Sequence, residues 1–534
     1  MVAASLKPEE FDAFVTLADV ARHHGRARAD RVALEFEGRQ TTFAALDSQS
    51  SQTANALIAA GVTAGDRVAF LGKNCDRYFE IWFAAAKIGA IIAPIGWRLS
   101  PPEVAYILDD TGAKVLFVGP ECLECAGEAL KLASTKTFVV AMEAGAHDLP
   151  IYEAWRDAQP ARDPNTALPS DAPTLLLYTS GTTGKPKGVM LTSANLLRSR
   201  RALSQAGRGW NEWNEGETSL AAMPIAHIGG SGWGLVGLLN GVRNIVTRDF
   251  NPMEALELIE RERIAKMFMV PAALQFIVRM PRAREIDYSS LQHILYGASP
   301  MPVALLQECM EVFGCQFCQQ YGMTETTGTI VYLPPQDHDP KGAKRMASAG
   351  LPMPGVELRI VDAEGKVLGP NETGEICTRS AANMAGYWRN ENATAATIDS
   401  EGWLRTGDAG YLDEDGYLFI QDRIKDMICS GAENVYPAEV ENAIHGHPHV
   451  AEVAVIGVPD DTWGEAVKAI VVPKPGVTPD PDSIIAYARE RIAHYKAPKS
   501  VDFRVDALPR STSGKILRRE LREPYWVGRD RRVN

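Results

Sequence analysis

The stretch Tyr178-Thr-Ser-Gly-Thr-Thr-Gly-Lys-Pro-Lys-Gly-Val189 lies between two apolar runs, Leu175-Leu-Leu and Val189-Met-Leu. Apolar runs bounded by turn-forming residues are typical of buried strands, so the stretch is predicted to be a loop that joins two strands. Its glycines let backbone N–H groups approach an anion closely, and its hydroxyl groups and lysines supply hydrogen-bond donors and positive charge. We therefore expect the loop to bind a polyphosphate.

The spacing of this loop differs from that of a Walker A motif, which has four residues between its glycines and a lysine that opens a helix. Here two residues separate Gly181 from Gly184, and Pro186 follows the lysine. A P-loop ATPase is excluded by this spacing. A flexible solvent loop is the alternative that Ser/Thr/Gly-rich stretches allow, but the dense mixture of hydroxyl groups, glycines and lysines favours phosphate binding.

Chain length and charge narrow the class of protein. The chain has 534 residues, more than a single hydrophobic core usually holds, so two or more domains are expected. Hydrophobic residues make up 46% and charged residues 23%, which is ordinary for a globular protein. The net charge of -12 argues against a nucleic-acid-binding protein, whose surface would be basic.

No segment has the pattern of a secretory signal or a membrane span. The first ten residues lack a charged region followed by an apolar run. The most apolar stretch, Ile81–Trp97, is interrupted by Lys87, Gly89 and Pro94. It is predicted to be a buried helix running into a strand.

Cysteine usage indicates a reducing compartment. Eight cysteines in so long a chain do not form the pattern of a disulfide framework. Two Cys-x-x-Cys pairs occur far apart, Cys122/Cys125 and Cys315/Cys318. We interpret them as structural cysteines rather than zinc ligands, and we expect a cytoplasmic protein.

Alternating helical and strand patterns before residue 170, and again from Pro252 to Tyr296, predict α/β layers with mostly parallel sheets. From about Gly350 short strands and turns predict a small barrel-like β subdomain. Residues 1–422 are thus predicted to form a large N-terminal domain, and residues 423–534 a smaller, mobile α+β domain. The individual predictions are helices at Leu46–Ala60, Glu103–Asp110, Pro437–Ile444 and Pro481–Ile492, and strands at Arg67–Leu71, Ala113–Val118, Met267–Val270, His293–Tyr296, Val312–Cys318, Val356–Val361, Tyr417–Ile420, Glu452–Val458 and Ala466–Val472.

Four further motifs follow the phosphate loop: Tyr321-Gly-Met-Thr-Glu-Thr326, Thr406-Gly-Asp408, Asp422-Arg-Ile-Lys-Asp-Met-Ile428 and Pro509-Arg-Ser-Thr-Ser-Gly-Lys-Ile516. Together, and in this order, the motifs resemble those of the adenylate-forming superfamily, which contains acyl-CoA synthetases, aryl-CoA ligases, peptide-synthetase adenylation domains and beetle luciferases. The resemblance covers nearly the whole chain. It implies an ATP-dependent carboxylic acid–CoA ligase that forms an acyl-adenylate and then an acyl-CoA thioester. Its cofactors would be ATP, Mg²⁺ and coenzyme A.

The resemblance also implies residue roles in adenylate formation, a reaction that depends mainly on positioning and charge neutralisation. A carboxylate suits a hard cation, an aromatic face suits a base, and a lysine stabilises charge that develops in the transition state. The α-phosphate is implied to contact Thr324, Mg²⁺ to bind Glu325, and the β- and γ-phosphates to contact Thr179, Ser180, Gly181, Thr182, Thr183, Gly184 and Lys187. The ribose is implied to contact Asp408 and Arg423, and the adenine to contact Gly297, Ala298, Ser299 and Tyr321, with Gly322 and Met323 in the same segment. Lys515 is implied to contact the reacting carboxylate and the α-phosphate.

For thioester formation, the resemblance implies that the C-terminal domain rotates about Lys425. His227 matches the residue that gates the acyl pocket from the thiol tunnel. Ser430, Gly431 and Ala432 match the segment beside the pantetheine path. At position 432 the family usually has glycine, and the alanine adds a methyl group where the backbone approach is close.

The acid and the acceptor stay open at this point. The overall pattern is most similar to bacterial fatty-acyl-CoA synthetases, which predicts medium- or long-chain fatty acids. Gly229, Gly230 and Gly232 are expected to leave volume for a long or bulky acyl group. The alternatives are an aryl or hydroxycinnamate CoA ligase, an adenylating enzyme that loads a carrier protein or an amine, and a nucleotide-binding module without turnover. The expected partners are a small carboxylic acid, ATP and CoA, with no nucleic acid and no transmembrane segment; a homodimer is neither indicated nor excluded.

The alanine at position 432 gives a prediction. Ala432→Gly is expected to raise the rate of thioester formation and to leave acyl-AMP formation unchanged, because only the thiol passes this position. Single-turnover measurements of the two half-reactions would check it. Equal thioester rates in the two proteins would contradict the prediction.

Overall fold

The computed structural model describes residues 6–145, 148–179, 186–339, 344–430, 433–460, 462–478, 480–510 and 515–527, apart from the side chains at positions 8, 344 and 425. The strands in these ranges are β1 Val32–Phe36, β2 Arg39–Thr42, β3 Arg67–Leu71, β4 Ile91–Ile95, β5 Val115–Val118, β6 Phe138–Ala141, β7 Pro173–Thr179, β8 Lys187–Thr192, β9 Thr218–Ala221, β10 Arg243–Val246, β11 Ile264–Met269, β12 His293–Gly297, β13 Gln316–Met323, β14 Gly328–Leu333, β15 Leu351–Pro352, β16 Val356–Val361, β17 Gly374–Ser380, β18 Gly386–Tyr387, β19 Leu404–Leu412, β20 Leu418–Arg423, β21 Ile428–Ser430, β22 Glu433–Val435, β23 Val450–Asp460, β24 Gly464–Pro473 and β25 Ser500–Phe503.

The α-helices in the same ranges are α1 Ala18–Ala27, α2 Phe43–Ala59, α3 Asp76–Ile88, α4 Pro101–Thr111, α5 Leu123–Leu132, α6 Tyr152–Asp157, α7 Ser193–Gln205, α8 Ile228–Leu239, α9 Pro252–Arg261, α10 Pro271–Val278, α11 Val303–Phe313, α12 Glu391–Thr397, α13 Pro437–His445, α14 Pro481–Arg489 and α15 Arg518–Arg522. None of these helices combines the length and the hydropathy that a membrane span requires.

Two large sheets form the N-terminal part of the fold. Nine strands are ordered β15-β14-β13-β12-β11-β9-β10-β1-β2, and seven are ordered β18-β8-β7-β4-β3-β5-β6. The inner strands run parallel, and antiparallel pairs occur only towards the edges. This arrangement follows from the alternation of strands and helices, since parallel neighbours need a helical crossover. The predicted α/β layers are confirmed.

The seven-stranded sheet is buried on both faces. Val68 and Phe70 of β3 point into the largest cluster of buried apolar side chains, whereas Ala69 and Leu71 pack with α4 and α5 on the other face. Alternate side chains of a strand point to opposite faces, so a strand covered on both sides has the continuous apolar pattern of β3.

Two smaller sheets follow in the chain. Strands β16, β17, β19 and β20 form an antiparallel sheet in the region predicted to be barrel-like, and its apolar side chains pack against β14. The last sheet contains only residues between Ile428 and Phe503. Its two faces have separate apolar clusters, with Val453 and Val455 in one and Ala454 and Ile456 in the other.

Most of the predicted helices and strands are present, with ends that differ by a few residues. The stretch Ile81–Trp97 is the expected helix and strand, α3 followed by β4, with Gly89 in the left-handed conformation between them. The prediction of a strand over Val312–Cys318 is wrong at its start. Helix α11 continues to Phe313, Gly314 ends it with a φ of 60°, and β13 begins at Gln316.

Lys87 is the one charged residue in the apolar stretch Ile81–Trp97, and its side chain is 0% exposed. Its Nζ donates to Asp47 Oδ1 at 2.6 Å, to the Asp47 backbone oxygen at 2.7 Å and to Ser51 Oγ at 2.7 Å. A buried ammonium group requires such partners, because its desolvation is otherwise very costly. Lys87 therefore ties α3 to α2.

Lys87→Met is expected to lower the free energy of unfolding by about 3 kcal/mol, since removing one partner of a buried ion pair leaves the other uncompensated. Denaturant unfolding followed by tryptophan fluorescence would measure it. Lys131→Met, at an exposed position of α5, is the control and is expected to change the value by less than about 0.5 kcal/mol. Equal stabilities of the two variants would contradict the assigned role of Lys87.

Candidate functional site

The predicted phosphate loop joins β7 to β8, as expected. Thr179 is the last residue of β7 and pairs across the sheet with Lys187, the first residue of β8. The hairpin thus places both ends of the loop side by side. The predicted ligands Ser180, Gly181, Thr182, Thr183 and Gly184 lie outside the described residues.

Lys187 and Glu325 both contact Tyr387. The Lys187 Nζ is 4.8 Å from the centroid of the Tyr387 ring, and the Tyr387 hydroxyl donates to Glu325 Oε1 at 2.9 Å. The Glu325 side chain is buried. Sequence analysis missed Tyr387, because its segment reaches the site only through the pairing of β18 with β8.

Thr324 and Glu325 lie in a tight turn, Thr324–Thr326, between β13 and β14. Gly322 makes this turn possible, because a Cβ atom there would lie 1.7 Å from the Gly328 backbone oxygen. Thr327 has a φ of 55°, which a threonine rarely adopts. The glycine and the strained turn bring the Thr324 hydroxyl group and the Glu325 carboxylate to the end of β13.

Tyr321, Asp408 and Arg423 form a second polar group. The Tyr321 hydroxyl donates to Asp408 Oδ2 at 2.7 Å, and Arg423 Nε lies 3.6 Å from Asp408 Oδ1. Asp408 and Arg423 are direct partners in the pairing of β19 with β20. Burial, and then Asp408, raise the pKa of Tyr321, so it remains a hydroxyl donor.

The segment Gly297–Ser299 begins at the last residue of β12, the neighbour of β13 in the sheet. A Cβ atom on Gly297 would lie 2.0 Å from the Gln320 backbone oxygen, so glycine is required there. Ala298 is exposed and has a φ of 67°. A non-glycine residue in this region is strained, and such strain is often found where a chain binds a ligand.

His227 is the N-cap residue of α8, and the positive charge of Lys515, near the C-terminal end of the described chain, acts on it electrostatically. Burial, and then the positive charges of Lys515 and Arg98, lower the pKa of His227 to about 4. His227 is therefore neutral at pH 7. A small pocket beside it is lined by Asn74, Trp97, Arg98 and Pro224, with glycines 72 and 96.

Asp422 joins the end of β20 to the C-terminal sheet and helices. Its Oδ2 accepts from the Ala438 N–H at 2.9 Å, at the start of α13, and its Oδ1 lies 3.8 Å from Arg518 Nη1. Arg518 also donates to Glu441 Oε2 at 2.7 Å. Burial raises the pKa of Asp422 to about 6 against the attraction of Arg518. These contacts hold the segment that follows Lys515.

Four residues predicted for the second half-reaction follow Asp422. Lys425 lies in the short turn Ile424–Asp426, although its side chain is outside the described residues. Ser430 is buried at the end of β21. Gly431 and Ala432 lie outside the described residues.

The expected volume at the glycines after His227 needs correction for Gly230. A Cβ atom at Gly230 would lie 2.2 Å from the Pro224 backbone oxygen, so this glycine permits close packing rather than leaving space. At Gly229 the nearest atom to such a Cβ is Phe268 Cε1 at 3.0 Å, and at Gly232 it is Ile228 Cδ1 at 3.4 Å. These two positions face apolar side chains.

Two family models match the chain, one over its N-terminal part and one near its C-terminal end. The family model "AMP-binding enzyme" matches residues 21–388, and "AMP-binding enzyme C-terminal domain" matches residues 439–515. The chain is 42% identical to the fatty acid–[acyl-carrier-protein] ligase ScoC of Streptomyces coeruleorubidus over 97% of this chain and 98% of that protein. It is 39% identical to a feruloyl-CoA synthase of Amycolatopsis sp over 92% and 96% of the two chains.

Among solved structures, the anthranilate CoA ligase AuaEII in complex with anthranoyl-AMP has a TM-score of 0.89 and 27% identity, and the match covers 97% of this chain and 99% of that one. The family models, the relatives and this structure agree with the order of motifs along the chain. The protein therefore belongs to the AMP-binding enzyme family, the adenylate-forming superfamily that its motifs resemble.

Proposed function

We propose that the protein is an ATP-dependent, AMP-forming carboxylic acid–CoA ligase. The observation that carries this proposal is the contact of Tyr387 with both Lys187 and Glu325, which brings the end of the phosphate loop and a buried carboxylate together. The carboxylate attacks the α-phosphorus of ATP, forming acyl-AMP and releasing pyrophosphate. The CoA thiol then attacks the acyl carbon, forming the thioester and releasing AMP.

Lys187 and the loop from Thr179 to Gly184 are proposed to hold the β- and γ-phosphates, and Thr324 the α-phosphate. The Lys187 ammonium group lies over the face of the Tyr387 ring. The tyrosine hydroxyl holds Glu325 through a hydrogen bond. The contact supports one site for the cation and the phosphates.

Glu325 suits Mg²⁺, which prefers one or two carboxylates together with phosphate oxygens and water. Within the described ranges, no group of three or more His, Cys, Asp or Glu side chains could hold a metal ion by itself. A single buried carboxylate beside the phosphate loop fits a cation that arrives with the nucleotide. When bound, Mg²⁺ neutralises charge on the phosphates.

Asp408 is proposed to accept hydrogen bonds from the ribose hydroxyl groups, and Arg423 to assist it. Tyr321 and the segment Gly297–Ser299 are proposed to hold the adenine. The hydrogen bond from Tyr321 to Asp408 supports this assignment, because it fixes the ring beside the ribose-binding carboxylate.

Lys515 is proposed to stabilise the charge shared by the attacking carboxylate and the α-phosphate. His227 is proposed to separate the acyl pocket from the route of the thiol. The pocket lined by Trp97 and Arg98 would extend the route of the thiol. Because His227 is neutral, it does not repel the lysine.

The division into residues 1–422 and 423–534, with rotation about Lys425, is part of the proposal. The separate apolar clusters of the C-terminal sheet support it, since a unit with its own core can move as one body. Rotation would place Ser430, Gly431 and Ala432 near the thiol. It would also break the contacts of Asp422 with Ala438 and Arg518.

Medium- or long-chain fatty acids are the proposed substrates. Aryl acids are the second candidate, favoured by the similarity to the feruloyl-CoA synthase and by the aromatic contact of Phe268 with Trp233, a residue of α8. A carrier protein is the alternative acceptor, because the relative ScoC is named a fatty acid–[acyl-carrier-protein] ligase. A cytoplasmic location is supported by the eight cysteines, all within the described ranges, because they form no disulfide bond there. Whether the protein forms a homodimer is a separate question, which sedimentation analysis would answer.

The test of the proposed function is acid-dependent AMP release together with mass-spectrometric detection of the thioester. The panel contains fatty acids from acetate to stearate, benzoates and hydroxycinnamates, with Mg-ATP and either CoA or a carrier protein. An acyl-CoA product is expected. Acyl-AMP without acyl-CoA, for every acid, would move the acceptor to the carrier protein, and absence of any acid-dependent turnover would overturn the proposal.

Lys515→Ala is expected to slow acyl-AMP formation by about 100- to 1,000-fold, the usual cost of losing one charge-stabilising donor. Thioester formation from preformed acyl-AMP is expected to keep its rate, because Lys515 acts in the first step. Arg519→Ala, at an exposed position in the same segment, is the control and should leave both steps unchanged. A similar loss in both half-reactions of the lysine variant would argue against this role.

A further inference from the structure

Asn74 holds the chain segment that carries His227. It lies between β3 and α3, and its side chain is buried. Its Oδ1 accepts from the Ile225 N–H at 3.0 Å, and its Nδ2 donates to the Met223 backbone oxygen at 3.2 Å. The same Nδ2 also donates to the Thr247 backbone oxygen at 3.1 Å. The amide thus uses its oxygen and both of its N–H donors.

Ile225 is held at its backbone oxygen as well as at its N–H group. Ser231 Oγ donates a hydrogen bond to this oxygen. The Tyr78 hydroxyl lies 2.7 Å from Ser231 Oγ, and the tyrosine is the donor because the serine has already used its one proton. Ser231 and Tyr78 are each 0% exposed. Both backbone polar groups of Ile225 are therefore fixed by buried side chains.

These hydrogen bonds set the path of residues 223–227, which connect β9 to α8. Asn74 comes from the chain just before α3, and Ser231 comes from α8. His227 follows Ile225 by two residues, and its N–H donates to the Pro224 backbone oxygen at 3.1 Å. The backbone that carries the imidazole is therefore held from two elements that are distant in the sequence.

Asn74 also forms part of the proposed route of the thiol. The pocket beside His227 is lined by Asn74 and Ile225 as well as by Trp97 and Arg98. One amide thus contributes to the wall of this pocket and holds another part of the same wall in place.

Loss of the amide would leave three buried backbone groups without their partners. These groups are the Ile225 N–H and the backbone oxygens of Met223 and Thr247. Unsatisfied buried groups are unfavourable, and a water molecule with two to four polar partners is their usual replacement. Residues 223–227 would then shift or water would enter, and either change would alter the wall beside His227.

We propose that Asn74 is a positioning residue for thioester formation. By holding residues 223–227 it fixes the His227 imidazole and keeps water out of the wall between the acyl pocket and the route of the thiol. The inference rests on the proposed function, in which His227 separates these two spaces. It adds a residue that acts through the histidine and belongs to none of the motifs.

Two reactions compete for the acyl-adenylate, and their balance reports on this wall. Attack of the CoA thiol on the acyl carbon gives the thioester and AMP, and the thiol proton is released. Attack of water on the same carbon gives the free acid and AMP. Both reactions follow the release of pyrophosphate, so the yield of thioester per pyrophosphate measures how well the thiol is favoured over water.

The test measures this yield with the acid of highest turnover and a saturating acceptor, CoA or the carrier protein. The wild-type yield is expected to be close to one. Asn74→Ala is expected to lower it about tenfold, since a displacement of about 1 Å can cost about 100-fold in rate. ATP–pyrophosphate exchange, which reports the first step alone, is expected to stay close to the wild-type rate.

Ser231→Ala removes the other hydrogen bond to Ile225 and is expected to lower the yield in the same direction. It also tests the inference if Asn74→Ala fails to fold. Asn244→Ala is the matched control, because Asn244 is a buried asparagine on β10 whose amide donates to the Val242 backbone oxygen at 3.1 Å instead. Its yield should stay at the wild-type value. Since the yield is a ratio within one protein, partial loss of folded enzyme does not alter it.

An unchanged yield in both Asn74→Ala and Ser231→Ala would overturn the inference, while thioester formation by the wild type still upheld the proposed function. An equal fall in Asn244→Ala, or an equal loss of pyrophosphate exchange in Asn74→Ala, would also overturn it. Absence of thioester from the wild type with either acceptor would overturn both.

Discussion

The alternation of side chains along β13 is the constraint on which the site depends. Tyr321 points towards Asp408, and Gln320 points to the opposite face, where it accepts a hydrogen bond from Thr329. The end of the same strand leads to Thr324 and Glu325. A shift of one residue in the pairing of β13 would exchange the two faces and remove both groups at once.

Glycines keep β13 in this register. Gly297 on β12 and Gly322 on β13 each lie against a backbone oxygen where a Cβ atom would not fit. Their neighbours can therefore approach more closely than ordinary strands, and any larger residue would push them apart. The strain at Ala298 and Thr327 lies next to these contacts. The surrounding sheet has to be stable enough to hold these unfavourable conformations.

Sequence patterns predicted much of the fold, because buried strands and helices have distinct periods. The boundary between α3 and β4 was predictable from Gly89. The start of β13 was not, since Val312 and Phe313 are apolar in a helix as well as in a strand, and an apolar run does not distinguish them. The role of Gly230 was misjudged for a related reason: a glycine provides space or close contact depending on what faces it.

Motifs predicted candidate site residues but not their partners. Tyr387 contacts both Lys187 and Glu325 although these residues come from three separate segments of the chain. Likewise, the contact of Thr329 with Gln320 depends on how β14 pairs with β13. Such contacts are products of sheet pairing, and no local pattern contains them. Motif spacing identifies which groups are present, whereas the chain's topology decides which of them meet.

The electrostatic effect of Lys515 on His227 has a consequence for the order of events. Burial lowers the pKa of the imidazole most, and the charges of Lys515 and Arg98 lower it further, so the imidazole is a poor base. Withdrawal of the C-terminal segment would remove one of these two cations. The histidine would then become more basic at the stage when a thiol has to lose its proton. One lysine, by entering and leaving, would thus change the basicity of the same imidazole between the two half-reactions.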